Sequence, residues 1–138
     1  MAQALPPSVF SQSWPAERAQ SYRAAGLWRG HDLAEIARRG ARNWPEAIAV
    51  VDADTRLSYR AFLQRAEAVA HALLARGLVA GAPVVVQLPN RAVFLEVVFG
   101  LFLARLVPVF ALPAHREVEL THFLAKSGAK TLITVRDW

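Results

Sequence analysis

Side chains able to do chemistry are sparse along these 138 residues. His115, Glu119 and His122 stand at i, i+4 and i+7, so a helix beginning near residue 115 would present them on one face, as a zinc ion requires. The same spacing describes a solvent-facing polar stripe. Nothing nearby supplies an outer partner for the imidazoles or a general base, so we expect the stripe and no metal. His71 reads as an ordinary helix-face residue. Glu96 lies inside an apolar run, where a carboxylate needs a cation. Arg91, five residues earlier, is badly placed for it, which leaves a cation from elsewhere in the fold or simple exposure. The seven glycines are scattered without a G-x-G-x-x-G, and neither Lys126 nor Lys130 follows a glycine-rich loop, so no phosphate cradle is visible. No serine sits in G-x-S-x-G; Ser58 and Ser127 read as a cap and a loop residue. Without cysteine there is no disulfide, thiolate ligand or thiol nucleophile.

The elements that must position these groups follow from periodicity. Trp14-Pro15 can open a turn, and residues 15–25 have helical composition before Gly26. A second helix starts at His31-Asp32-Leu33 with Asp32 as N-cap, carries Leu33, Ile36, Ala37 and Ala41 on one face, and stops at Trp44-Pro45. Residues 48–51 and 56–58 then read as two strands of a hairpin around Asp52-Ala53-Asp54-Thr55. Ser58 caps a helix whose stripe is Phe62, Ala66, Val69, Ala70 and Leu73, with Gly77 as its stop. Residues 83–88 form an unbroken apolar strand, and Asn90 is the expected cap of a buried helix reaching Ala104, in which Gly100 allows a close approach. A strand over 106–112, a helix over 117–126 stopped by Gly128, and a strand over 131–135 complete the pattern. Continuous apolar strands alternating with helices predict a partial, doubly wound, mainly parallel α/β sheet with a β-hairpin. In such a sheet ligands bind outside the carboxyl ends of the strands, which places the loops at Pro89-Asn90 and Pro113-Ala114-His115-Arg116 at the site.

Composition agrees with one packed unit: 54% of residues are apolar, 20% are charged, and mean hydropathy is +0.24. The net charge of +5 is spread evenly, with six basic against four acidic groups in 1–46, five against four in 47–104 and five against three in 105–138. No basic stripe exists for nucleic acid. Residues 93–113 are apolar enough to raise the question of a membrane span, but Glu96, Arg105 and Pro108 interrupt them, and a central charge costs about 2.5–3.5 kcal/mol on insertion. A buried helix and strand explain the run better. Residues 1–12 lack a basic segment followed by an apolar one, so no signal peptide and a cytoplasmic location are expected.

Three stretches carry a resemblance. Trp14-Pro15-Ala16-Glu17 with Tyr22-Arg23-Ala24-Ala25-Gly26-Leu27-Trp28, then Arg56-Leu57-Ser58-Tyr59-Arg60, then Val107-Pro108-Val109-Phe110-Ala111-Leu112-Pro113-Ala114-His115-Arg116 are similar, in order and spacing, to the N-terminal part of aryl-acid adenylating enzymes. These are the salicylate and 2,3-dihydroxybenzoate AMP ligases of siderophore assembly, within the adenylate-forming superfamily. Two departures stand out. Ala61 replaces the family's Glu, leaving only the Ser58 half of a capping box. Arg105 replaces a helix-ending Gly, where a positive φ would cost about 1 kcal/mol, so that turn is strained or rebuilt.

The resemblance implies ATP and Mg²⁺ as cofactors of the full-length family, an aryl acid as substrate, and the phosphopantetheine of an aryl carrier protein as acceptor. The family's phosphate loop, aryl pocket and catalytic lysine lie further along, so the chain is expected to be a truncated piece, to bind no cofactor alone and to be inactive alone. Residues 1–46 would be a leader with short helices and 47–138 an incomplete α/β subdomain. No catalytic residue is assigned. His115 and Arg116 are the one site candidate, because related ligases use the corresponding region near the thiol acceptor's channel. The alternative is that Arg116 covers surface and His115 opens a helix. Competing classes are an acyl-CoA ligase, an amino-acid adenylation domain and a non-catalytic α/β interaction module.

Overall fold

A computed structural model describes residues 15–136. The expectations for residues 1–12, for Trp14 and for the final two positions lie outside them. Helix α1 (Ala16–Ala24) and helix α2 (Ala34–Asn43) occupy the two predicted stretches. Asp32 makes its cap contact, its carboxylate accepting the Glu35 N–H at 2.8 Å, although regular helix begins only at Ala34. Strands β1 (Ile48–Val51) and β2 (Arg56–Ser58) pair antiparallel as the hairpin. Ser58 then opens helix α3 (Tyr59–Ala75), its hydroxyl oxygen accepting the Ala61 N–H at 3.3 Å, the half box that Ala61 leaves.

Strands β3 (Pro83–Gln87), β4 (Val107–Ala111) and β5 (Leu132–Thr134) form a parallel sheet in the order β4-β3-β5. Helix α4 (Ala92–Leu103) lies with α3 on one face, where Val84, Val86, Val97 and Leu101 pack together. Helix α5 (Glu117–Ser127) covers the other face, where Val85 meets Leu120, Phe123 and Leu124. Val84, Val85 and Val86 are therefore all fully buried, which is why the sequence writes an unbroken valine run instead of alternation. A third cluster of Ala37, Val50, Leu57, Phe62 and Ala92 fastens α2 and the hairpin onto α3 and α4.

Glu96 finds its cation across the helix pair: Arg65 of α3 donates to it at 3.0 Å while the Glu96 side chain keeps only 14% of its exposure. Arg105 holds φ at 59°, the one described non-glycine residue with positive φ, and the strained option is the one taken. Backbone bonds enforce it, because the Arg105 N–H donates to Phe102 and its carbonyl accepts from Gly81 at 2.8 Å.

One cap differs from expectation. Asn90 does not cap α4. Pro89 is followed by a tight turn in which the Arg91 N–H donates back to the Pro89 carbonyl at 2.8 Å, so the cap position falls on Arg91, which makes no side-chain cap bond. The Asp52 carboxylate, from the hairpin turn, accepts the Ala92 N–H at 2.7 Å instead. A helix start can be capped from forty residues away when packing brings a carboxylate to it.

Candidate functional site

The β3–α4 and β4–α5 connections leave the carboxyl end of the sheet toward opposite faces, since α4 and α5 lie on opposite sides. A crevice must open between the ends of β3 and β4. It is present as an apolar cleft of about 240 Å³ lined by Leu88, Asn90, Phe94, Phe110, Leu112 and Pro113. Across the β4–α5 loop a second recess, about 360 Å³, is lined by Gln87, His115, Arg116, Leu120 and Leu124. The loop carrying His115 and Arg116 thus stands between two hollows.

Gln87 sets the shape of this loop. It ends β3 with its side chain 4% exposed, and its amide nitrogen donates to the carbonyls of His115 at 2.8 Å and Leu112 at 3.2 Å. Its amide oxygen accepts from the Thr134 hydroxyl at 3.2 Å. One buried amide therefore joins the ends of β3 and β5 to the loop after β4, with both of its donated bonds going to backbone carbonyls of that loop. His115 adds an internal tie, its Nδ1 accepting the Leu112 N–H at 3.0 Å, so the proton of the neutral ring sits on Nε2. Arg116 spends its Nη1 on the carbonyls of Pro113 and His115, at 2.9 and 3.1 Å.

The His115–Glu119–His122 face holds other partners. The Glu119 carboxylate accepts the Arg116 N–H at 2.9 Å, and that bond, with its own helix N–H and the nearby His115 and Arg116, lowers its pKa. His115 and His122 both lie against Phe123, with ring centroids 5.2 and 6.0 Å away. Among the described residues no three His, Cys, Asp or Glu side chains are gathered to hold a metal ion.

Both helix starts at this end of the sheet are filled by protein carboxylates. Glu119 sits at the start of α5, and Asp52 sits at the start of α4 beside Arg91, whose guanidinium pairs with Asp52 at 3.5 Å and with Asp54. A helix N-terminus attracts phosphate through its free N–H groups and dipole; here the Ala92 N–H at one start and the Arg116 N–H at the other already face carboxylates. The Ala92 and Asp54 N–H bonds, with Arg91 beside them, hold the Asp52 carboxyl below its usual range. Because the native pKa is lowered, the stabilisation is complete above the ordinary aspartate range and is lost as pH falls through it toward the native value. The urea midpoint should therefore drop more steeply between neutral pH and about pH 3 in the parent chain than in Asp52→Asn. Equal slopes would remove Asp52 from this role.

Sequence reasoning located the His115–Arg116 loop but missed Gln87 and the reach of Asp52. The signal for Gln87 was available: it is the single polar residue ending an otherwise apolar strand, Val84-Val85-Val86-Gln87. Asp52 read as turn chemistry, and nothing local marks a contact with residue 92.

The profile of the family described as AMP-binding enzyme matches residues 37–138. The chain is 45% identical, over 87% of its length, to the salicyl-AMP ligase / salicyl-S-ArCP synthetase of Mycobacterium tuberculosis, and spans 22% of that protein. It is 41% identical over 87% of its length to the 2,3-dihydroxybenzoate-AMP ligase of Bacillus subtilis, again spanning 22%. The apo structure of MbtA from Mycobacterium smegmatis superposes on 88% of the chain, and 23% of its own, with a TM-score of 0.84 and 48% identity. The chain therefore spans less than a quarter of the curated relatives it matches. Among the described residues no helix is long and apolar enough to cross a membrane.

Proposed function

The chain belongs to the AMP-binding enzyme family, and on that premise we propose that it supplies scaffold to an aryl-acid adenylating ligase of siderophore assembly. In that reaction a carboxylate oxygen of salicylate or a related aryl acid attacks the α-phosphorus of ATP, the bond to the β-phosphate bridge breaks, and pyrophosphate leaves. A carrier-protein thiol then attacks the acyl carbon of the aryl-AMP and AMP departs. The observation carrying this reading is the identity of 45% with a salicyl-AMP ligase across almost the whole described fold.

The residues present do not fit ATP with Mg²⁺. The two helix starts beside the crevice face Asp52 and Glu119, the Arg116 guanidinium donates to backbone carbonyls, and the described residues gather no acidic cluster for a metal. We assign nucleotide and metal to segments that the relatives possess beyond the matched stretch. What this chain does is hold the crevice in shape, with residues 1–46 as leader and 47–138 as the incomplete α/β subdomain.

For the acceptor we assign the His115–Arg116 loop to the wall of the channel through which the carrier's pantetheine arm reaches the aryl-AMP. A loop at the sheet's carboxyl end, fixed by Gln87, suits that task because its backbone is already ordered before the arm arrives. The test is a chimera in which this chain replaces the matched stretch of the Mycobacterium tuberculosis relative. In it Arg116→Ala should raise the KM for the aryl carrier protein several-fold, on the order of the 1 kcal/mol that one exposed charged contact contributes, and leave salicylate-dependent ATP–pyrophosphate exchange unchanged. A variant with unaltered carrier KM, or one that loses both half-reactions together, contradicts the assignment.

A further inference from the structure

We propose that His115 is a positioning residue for the acceptor half-reaction, its Nδ1 holding shut the turn whose carbonyls aim the Arg116 guanidinium at the carrier's pantetheine arm. The inference rests on the assignment of this loop to the channel wall, and names the side chain that gives the wall its donor. Leu112, Pro113, Ala114 and His115 form a tight turn after β4. One of its bonds is ordinary: the His115 N–H donates to the Leu112 carbonyl at 3.0 Å, with proline at the second position presetting the backbone. The other bond comes from a side chain, the Leu112 N–H donating to His115 Nδ1 at 3.0 Å. Both backbone groups of Leu112 are therefore held by one residue. The half-buried imidazole is itself steadied from α5, where Phe123 lies 5.2 Å away between ring centroids. Gln87 cannot substitute for this tie, because it donates to the Leu112 and His115 carbonyls and leaves the Leu112 N–H to the imidazole.

Arg116 takes its direction from the turn. Its Nη1 donates to the carbonyls of Pro113 and His115, one inside the closed segment and one at its end, while its own N–H is fixed on the Glu119 carboxylate. The guanidinium is exposed and pairs with no carboxylate among the described residues, so Nε and Nη2 keep their N–H groups for a ligand. A pantetheine arm offers a phosphodiester and amide carbonyls, all acceptors. A guanidinium already tethered at one nitrogen loses less freedom on meeting them than one swinging free. Opening the turn would turn the Pro113 and His115 carbonyls and release that tether. His115 thus acts through Arg116, without touching the arm.

The experiment uses the chimera that carries this chain in place of the matched stretch of the Mycobacterium tuberculosis relative, and reads the KM for the aryl carrier protein beside salicylate-dependent ATP–pyrophosphate exchange, which does not use the arm. His115→Ala should raise the carrier KM about threefold while exchange keeps its rate. His115→Asn should restore the parent KM: its Oδ1 stands where Nδ1 stood and accepts the Leu112 N–H, although the packing on Phe123 is lost as in His115→Ala. The double variant His115→Ala/Arg116→Ala should show the KM of Arg116→Ala alone, because the two residues act as one unit. If Arg116→Ala raises the KM but His115→Asn does not restore it, or the double variant is additive, this inference is overturned and the channel assignment stands. If Arg116→Ala leaves the KM unaltered, the channel assignment falls and this inference with it. Loss of exchange in His115→Ala and His115→Asn alike would make His115 a stability residue and contradict the positioning role.

Discussion

Gly100→Ala is expected to destabilise the chain by about 1–3 kcal/mol, read as a lower urea midpoint with unchanged slope. A β-carbon at Gly100 would lie 2.6 Å from Val69 Cγ1, 2.7 Å from Val69 Cβ and 2.9 Å from the Ala66 carbonyl oxygen. None of these can step aside cheaply. Val69 is β-branched and stiff, and the carbonyl belongs to the α3 backbone, so α3 and α4 must separate along a contact that also seats Leu101, Leu73 and Ala70. Alanine's better helix propensity returns at most about 1 kcal/mol. Combining Gly100→Ala with Val69→Ala should recover part of the loss by removing Cγ1, leaving the clashes with the β-carbon of residue 69 and the Ala66 carbonyl; strict additivity would show that the two residues do not meet.

Gln87→Leu is the second large effect. It preserves volume roughly but removes the buried amide that ties the Leu112 and His115 carbonyls to the Thr134 hydroxyl; the two carbonyls keep the His115 N–H and the Arg116 guanidinium, and exposed Thr134 can turn to water. Three hydrogen bonds from a buried side chain are lost, each contributing about 0.5–1.5 kcal/mol, so a loss of about 2–4 kcal/mol is expected. The damage should be local as well as global. Hydrogen exchange of the Leu112 amide, protected by His115 in the parent chain, should quicken more than exchange of Val85 at the centre of the sheet. Uniform acceleration would mean that Gln87 contributes only to overall stability.

Much of the fold was legible because it is written in periodicity. The stripe of Phe62, Ala66, Ala70 and Leu73, the unbroken valines of β3, and the glycine stops at Gly77 and Gly128 are local signals that packing honoured. Arg105 was legible as a strained position only through the resemblance, which puts a helix-ending glycine at that place. Contacts made across sequence distance were not legible. Asp52 reaches Ala92, Arg65 reaches Glu96 and Gln87 reaches His115 only after the three layers have assembled, and no local pattern encodes such pairs. Asn90 shows the converse error: a good capping residue in a good place loses to a tight turn and a carboxylate from another element. At the site, the loop position followed from topology, while the buried amide that fixes the loop needed the structure.

On the proposed scaffold role, these contacts define what the chain contributes. Carboxylates stand at both helix starts at the crevice, and the Nη1 of exposed Arg116 donates to carbonyls of its own loop, so groups that could stabilise charge moving from ATP already hold partners within the fold. Salicylate-dependent ATP–pyrophosphate exchange, compared between this polypeptide alone and the chimera in which it replaces the matched stretch of the Mycobacterium tuberculosis relative, tests that division of labour. The chimera should exchange and the polypeptide alone should remain at the level of the no-enzyme control. Exchange by the polypeptide alone, or a folded chimera that cannot exchange, would contradict it.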